Sequence, residues 1–331
     1  MTLLRLLAMR LAATLPLVLG AATLVFVALE AAPGEPVDLL LGERPVPQHV
    51  RAHIERAYGL DRPALDRYGS WLGGVFLRGD LGWSYSRSRP VASLLAEALP
   101  ATLLLAGAAL LLHVVFGIVL GGLSVAWRAR AVERVLTVGS LLLYAMPTFS
   151  VGLLAILLLA HAVPLFPASS MHSVGAEGWS AGARLFDLLR HLCLPALVLG
   201  AASAAGMARF VRAGLLDTMR EEFIRAGRAR GLGAGRLLWR HALRNALLPV
   251  VNLAGLSLPI LVSGSLVTEV VFAWPGMGRL TYEAILARDV PIVLATTILA
   301  SWLVVAGSLV ADLAMLAVDP RIRLARAGAR P

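Results

Sequence analysis

Lysine is absent from this 331-residue chain, and all thirty basic side chains are arginine. A Walker A loop needs a lysine to reach nucleotide phosphates, so the chain holds no ATP site of that kind. Schiff-base chemistry is excluded for the same reason. Cysteine occurs once, at Cys193, so no disulfide forms within the chain, and its apolar neighbourhood suits a packing thiol. Charged residues make up only 15% against 58% hydrophobic, which removes the chain from the ordinary soluble globular class. HExxH does not occur, so an intramembrane zinc hydrolase lacks its signature. Mid-span carboxylates are few and the two halves show no convincing repeat, both of which count against an ion-coupled secondary transporter.

What the chain has instead is apolar length. Runs near the ~20 residues that cross a bilayer recur along it. They predict an all-α polytopic membrane protein with six spans, at residues 11–29, 99–126, 135–160, 192–208, 246–268 and 290–318. A cleaved signal peptide is the competing reading of the first run, because Ala31 and Ala32 follow it. Pro147 predicts a kink within the third span, and Pro195 a short, interrupted fourth. The chain divides accordingly into residues 1–29 (N-terminus and first span), an extramembrane cap at 30–97, a membrane core at 98–318 and a tail at 319–331. The cap has tryptophans, glycines and short helical patterns, which argue for an ordered unit rather than a linker. Trp71, Trp83 and Tyr85 fit either the headgroup level or packing within the cap. His161, His172, His191 and Cys193 have no spacing typical of zinc.

Arginine counts orient the chain. Three fall after the second span (127–134), nine between Arg209 and Arg244, four in the tail and two before the first span. The loops after spans three and five hold two each. Rich and poor loops alternate, so both termini are expected in the cytoplasm. The long first loop has eight arginines balanced by nine acids and is expected outside, since long loops translocate largely regardless of charge.

The orientation puts one polar stretch, residues 221–249, on the inner side: EEFIRAGRARGLGAGRLLWRHALRNALLP. It predicts two short helices bent at Gly231, Gly233 and Gly235, because glycine permits left-handed backbone. Leu215, Met219 and Phe223 recur at four-residue spacing before the bend, and Arg236, Arg240 and Arg244 after it. The pattern by itself fits an interfacial helix on anionic lipid and a helix seated in a partner's groove equally well.

The stretch resembles the EAA loop of ABC-importer permeases, in the branch serving dipeptides, oligopeptides and nickel. The resemblance rests on Arg225-Ala226-Gly227-Arg228-Ala229-Arg230-Gly231-Leu232 followed by His241-Ala242-Leu243-Arg244-Asn245-Ala246-Leu247-Leu248-Pro249. Gly227 stands where alanine is commoner in that branch, and Arg230 where lysine is. Similar segments run in order along the chain: APGEPVDLLLGE, YGLDRPALDRYGSWL, GDLGWSYSRSRPV, LPATLLLA, LPALVLG, VFAWPGMGRL and VDPRIR. The loop at 167–189 matches least.

The resemblance implies the type I ABC importer permease fold and a subunit without ATPase activity of its own. It implies a second related permease, two ABC ATPase subunits using ATP and Mg, and an extracytoplasmic solute-binding protein. The chain would bind no cofactor and no nucleic acid, and would lie multi-pass in a bacterial or archaeal inner membrane. The ATPase-coupling residues would be Glu222, Phe223, Arg225, Ala226, Gly227, Arg228, Gly231, Leu232, Gly233, Leu237, His241 and Asn245. Phe223, Leu232 and Leu237 would supply buried anchors to the partner. Met146, Pro147, Phe149 and Glu269 are candidates for the path or gate. Peptides are the cargo the resemblance favours. Nickel, glutathione and oligosaccharides use permeases of the same look.

Overall fold

The computed structural model describes residues 3–33, 37, 47–126, 138–139 and 145–318. The arginine-bearing loop at 127–134, the first part of the expected third span, most of APGEPVDLLLGE and the tail from 319 lie outside the described residues. In chain order the main helices are α1 (Leu3–Ala31), α2 (Gln48–Tyr58), α3 (Ala64–Gly73), α4 (Val91–Ala126), α5 (Thr148–Ile156), α6 (Ala181–Thr218), α7 (Glu222–Ala229), α8 (Leu243–Val271), α9 (Met277–Leu286) and α10 (Val290–Val318). Wide π-type turns extend α3 over Gly74–Arg78 and α5 over Leu157–Ala162, and precede α8 over Leu237–Ala242.

Among the described residues, three stretches are long and apolar enough to cross a membrane: Thr14–Ala31, Val91–Ala126 and Val290–Ala311. The two halves of α6, Ala181–Ala201 and Ser203–Thr218, meet at 55° and together make a fourth. On α4, Leu111, Val115 and Val119 are exposed at four-residue spacing. Such a stripe suits lipid, where the helix satisfies its own backbone and only apolar side chains face outward.

The kink expected at Pro147 takes the form of a break: Ala145 is helical, and Pro147 stands at the N-cap of α5. Proline disfavours helical geometry in the residue before it, here Met146, so the helix starts after the ring rather than running through it. The fourth span is not short. α6 runs 38 residues with Pro195 inside it, and its first turns include residues 181–190, which the sequence placed in a loop. Ser180 starts this helix, its hydroxyl accepting from the Ala183 N–H at 3.4 Å.

The chain forms two compact units. The first comprises residues up to 102 together with 275–303. Its core joins Val91, Leu94, Leu95 and Ala98 of α4 to Met277, Leu280 and Ala284 of α9 and to Ile292, Val293 and Ala295 of α10. A second cluster packs Val18 and Ala22 of α1 on Ile298, with Trp71, Val75 and Trp302 around them. Trp71 therefore serves packing, and its indole N–H donates to Leu81 O at 3.2 Å. Trp83 is half exposed and pairs with Pro90 to close a small hairpin. Asp289 pins that hairpin: it is fully buried and accepts from the Ser84 hydroxyl at 2.6 Å, the Ser86 N–H at 2.8 Å and the Ser86 hydroxyl at 2.8 Å. Arg87 pairs with Glu283 and Arg89 with Glu97 on either side of it.

The second unit comprises residues 103–274 and those from 304. Its helices approach closely at glycines. A Cβ on Gly200 of α6 would lie 2.6 Å from the Ala109 carbonyl of α4, and one on Gly255 of α8 would lie 2.1 Å from Ala311 Cβ of α10. Small residues at such crossings are the usual means of helix association in lipid. His113 is buried in α4, with Nε2 3.2 Å from the Ser257 hydroxyl of α8. It packs between the two helices and hydrogen-bonds across them.

Candidate coupling surface

The 221–249 stretch folds as a knuckle between α6 and α8. α6 ends at Thr218, a turn covers Met219–Glu221, and α7 restarts at Glu222. The turn breaks the four-residue register read from the sequence. Leu215 is fully buried, but Phe223 comes out 43% exposed and Ile224 goes in at 0%. The apolar face of α7 is therefore Ile224 and Gly227, three residues apart, and not Phe223.

α7 ends in a Schellman arrangement. The Leu232 N–H reaches Gly227 O at 3.1 Å, and the Gly231 N–H reaches Arg228 O at 2.9 Å. Gly231 has φ +78°, the left-handed conformation this ending needs. Gly233 is extended and caps the next turn, Ala234–Arg236. Gly235 lies inside that turn and takes no part in the bend. Glu222 in the first turn of α7 and Arg228 in its last both complement the helix dipole.

Two sets of side chains separate cleanly. Glu222, Phe223, Arg225, Ala226, Arg228, Gly231, Gly233 and Asn245 are exposed, as are Arg230, Arg236, Arg240 and Arg244. Gly227 and Leu237 are buried, and Leu232 and His241 lie between. Leu237 thus differs from its expected place as an anchor offered to a partner. It is 1% exposed and packs on Gly227, where an added Cβ would meet Leu237 Cδ2 at 2.7 Å. Its burial joins α7 to the wide turn through Met207, Val211, Leu215, Ile224, Leu238, Ala242 and Ala246. Burying a leucine this completely contributes about 1.5–3 kcal/mol, and here it holds the knuckle's own shape. The exposed face of α7 keeps one large apolar side chain, Phe223, amid arginines, a composition suited to a protein groove.

The candidate path residues differ in exposure. Met146 is half-buried, Pro147 is exposed and Phe149 is 49% exposed at the start of α5. Glu269 is fully buried near the end of α8, with its carbonyl accepting from the Trp274 N–H at 2.8 Å. Among the described residues no group of three His, Cys, Asp or Glu side chains is placed to hold a metal. His172 and His191 instead flank Asp187, which accepts from the Ser173 N–H at 2.9 Å and the Ser173 hydroxyl at 2.6 Å.

Sequence reasoning missed Ile224 and Trp239. Ile224 was recoverable from the charged run breaking at Arg220-Glu221-Glu222. Trp239 had no local signal, because its partner is Gly122, 117 positions earlier.

Comparison with known proteins gives this geometry a family. Residues 113–324 match the model of the binding-protein-dependent transport system inner membrane component. Residues 3–106 match the N-terminal model of the same membrane components. The chain is 37% identical over 310 residues to the oligopeptide transport system permease protein AppB of Bacillus subtilis, covering 93% of this chain and 96% of that protein. It is 34% identical to the di/tripeptide transport system permease protein DppB of Pseudomonas aeruginosa, covering 96% and 98%. It is 33% identical to the glutathione transport system permease protein GsiC of Escherichia coli, covering 95% and 97%. A solved inward-facing MetNI methionine ABC transporter shares the fold, with TM-score 0.54 and 20% identity over 69% of this chain and 97% of that one. The chain belongs to the family of binding-protein-dependent transport system inner membrane components and has the type I ABC importer permease fold.

Proposed function

We propose that this chain is one of two permease subunits in an ATP-driven importer of di- or oligopeptides. The knuckle at 221–249 seats in a cleft of an ABC ATPase subunit, a second permease completes the path, and a solute-binding protein delivers cargo to the outer face. ATP and Mg belong to the ATPase subunits, since a chain without lysine cannot build a Walker A loop. Both termini lie in the cytoplasm by the arginine distribution, within the inner membrane of a bacterium or archaeon. The domain division at residues 29, 97 and 318 follows from that topology.

One observation carries the reading. The knuckle offers an exposed face of Glu222, Phe223, Arg225 and Arg228 on a rigid, glycine-capped base, joined by chain to α6 and α8. A docked partner can move both helices as rigid bodies through such a lever. Arginines and Glu222 supply charge-assisted contacts at the rim, and Phe223 supplies the central anchor. Leu232, half-buried beneath them, together with Gly233, His241 and Asn245 completes the contact zone. Met146, Pro147, Phe149 and Glu269 are proposed to border the path.

Peptide cargo is inferred from relatives whose names specify peptides, AppB and DppB among them. The test is uptake of labelled dipeptides and longer peptides by proteoliposomes holding the full complex. ATP-dependent uptake that needs the solute-binding protein supports the reading. Uptake of glutathione or nickel with none of other peptides overturns the cargo, and uptake driven by an ion gradient without ATPase subunits overturns the mechanism.

A further inference from the structure

α4 has no chain connection to the knuckle, yet it is built to receive it. Along its second half stand Gly117, Gly121 and Gly122. A Cβ on Gly117 would lie 2.2 Å from Met207 Cγ, and one on Gly121 would lie 2.7 Å from Val211 Cβ and 2.8 Å from Ala208 O. These two bring α4 against α6. Gly122 does something else. A Cβ there would lie 2.4 Å from Trp239 Cη2, 2.8 Å from Cζ3 and 3.2 Å from Cζ2. The edge of the indole fills the space a side chain would take. Val114, Ile118 and Val125 of α4 pack on the cluster that joins α6, α7 and the wide turn Leu237–Ala242.

We infer that Trp239 is a positioning residue for energy coupling, seated in the Gly122 notch so that movement of the knuckle is passed to α4 as well as to α6 and α8. The inference rests on the coupling role proposed above and adds a third moving helix to it. Three features support it. Trp239 lies on the wide turn itself, the one part of the knuckle's second arm where the helix is locally widened, and such turns recur at functional positions. An indole has only two side-chain torsions, so it transmits displacement with little slack. The ring is also 40% exposed, too open for the contact to be explained by core burial alone.

The geometry also separates coupling from folding. At Gly121 an added side chain meets backbone, so the helices must part. At Gly122 the three nearest atoms all belong to the rim of one side chain, which can swing toward its exposed side. Gly122→Ala and Gly122→Leu should therefore assemble, with Trp239 displaced.

The test measures labelled peptide taken up per ATP hydrolysed by the complete transporter in proteoliposomes with saturating binding protein, assembly being checked by size-exclusion chromatography. Gly122→Ala, Gly122→Leu and Trp239→Ala should each lower that ratio, by roughly 2- to 30-fold if one coupling contact is lost. Trp239→Phe should recover part of it. The double variant Gly122→Leu/Trp239→Ala should be no worse than the poorer single variant, since both remove one contact. Gly231→Val serves as the control on the knuckle. If it lowers the ratio while the Gly122 and Trp239 variants do not, the inference falls and the coupling role stands. If it leaves the ratio unchanged as well, the coupling role fails and takes the inference with it. Additive losses in the double variant overturn the inference, because the two residues then act separately.

Discussion

Gly231 concentrates the knuckle's backbone demand in one residue. Its φ of +78° is required by the two hydrogen bonds that end α7, while the space beside it is open. The cost of replacing it is therefore conformational and not steric. A β-branched residue held there costs about 1–2 kcal/mol, and asparagine costs less because it visits this region more readily. Gly231→Val is expected to leave the chain inserted and assembled but to lower transport per ATP, with Gly231→Asn close to the parent. Uptake and phosphate release measured side by side decide it, and normal coupling in the valine variant would remove the lever assignment. Gly227 shows the complementary case. Its need is for space, since Leu237 lies against it. The contact is with the end of a side chain, so an alanine there would displace the tip of Leu237 and leave the backbone in place.

Elements were legible where local pattern dictates them. The long apolar helices, the polar interruption at 221–249 and the glycine bend were all readable from composition and periodicity. The register across Met219–Glu221 was not, because three turn residues rotate α7 relative to α6 without changing the spacing of apolar side chains. The length of α6 was also hidden. Pro195 suggested a break, yet a long helix absorbs one lost hydrogen bond, and the bend between its halves falls near Ala201–Ser203 instead. Close approach leaves only a faint trace in sequence, because a glycine at a crossing reads like any other. α6 makes the difference measurable. Gly200 meets the Ala109 carbonyl, Leu112 and the His113 N–H, whereas Gly206 has nothing within 4 Å. Gly200→Val should destabilise the fold by about 1–3 kcal/mol, seen as a lower thermal midpoint in detergent. Gly206→Val should be nearly neutral, and equal shifts would mean that the α4–α6 crossing is not tight.

For the whole molecule, the proposed orientation makes a direct claim about reach. A photocrosslinker at the exposed Arg228 should capture an ATPase subunit and never the solute-binding protein. Capture of the binding protein would invert the topology. Family and fold were readable over most of the length because ordered motifs recur from residue 32 to residue 323. The pairing of distant segments was not. Nothing in residues 30–97 announces that their core is completed by 275–303, since that partnership is made of ordinary apolar side chains. The Asp289 contact has a consequence for biogenesis. Ser84 leaves the ribosome 205 residues before the carboxylate that will hold its hairpin. At ordinary elongation rates that is a delay of roughly 10–40 s. Through that interval the early segment lacks the later half of its core, and in the proposed orientation an extracytoplasmic chaperone or protease would meet it first. A gene cut anywhere between the two would yield an outer segment unable to finish folding.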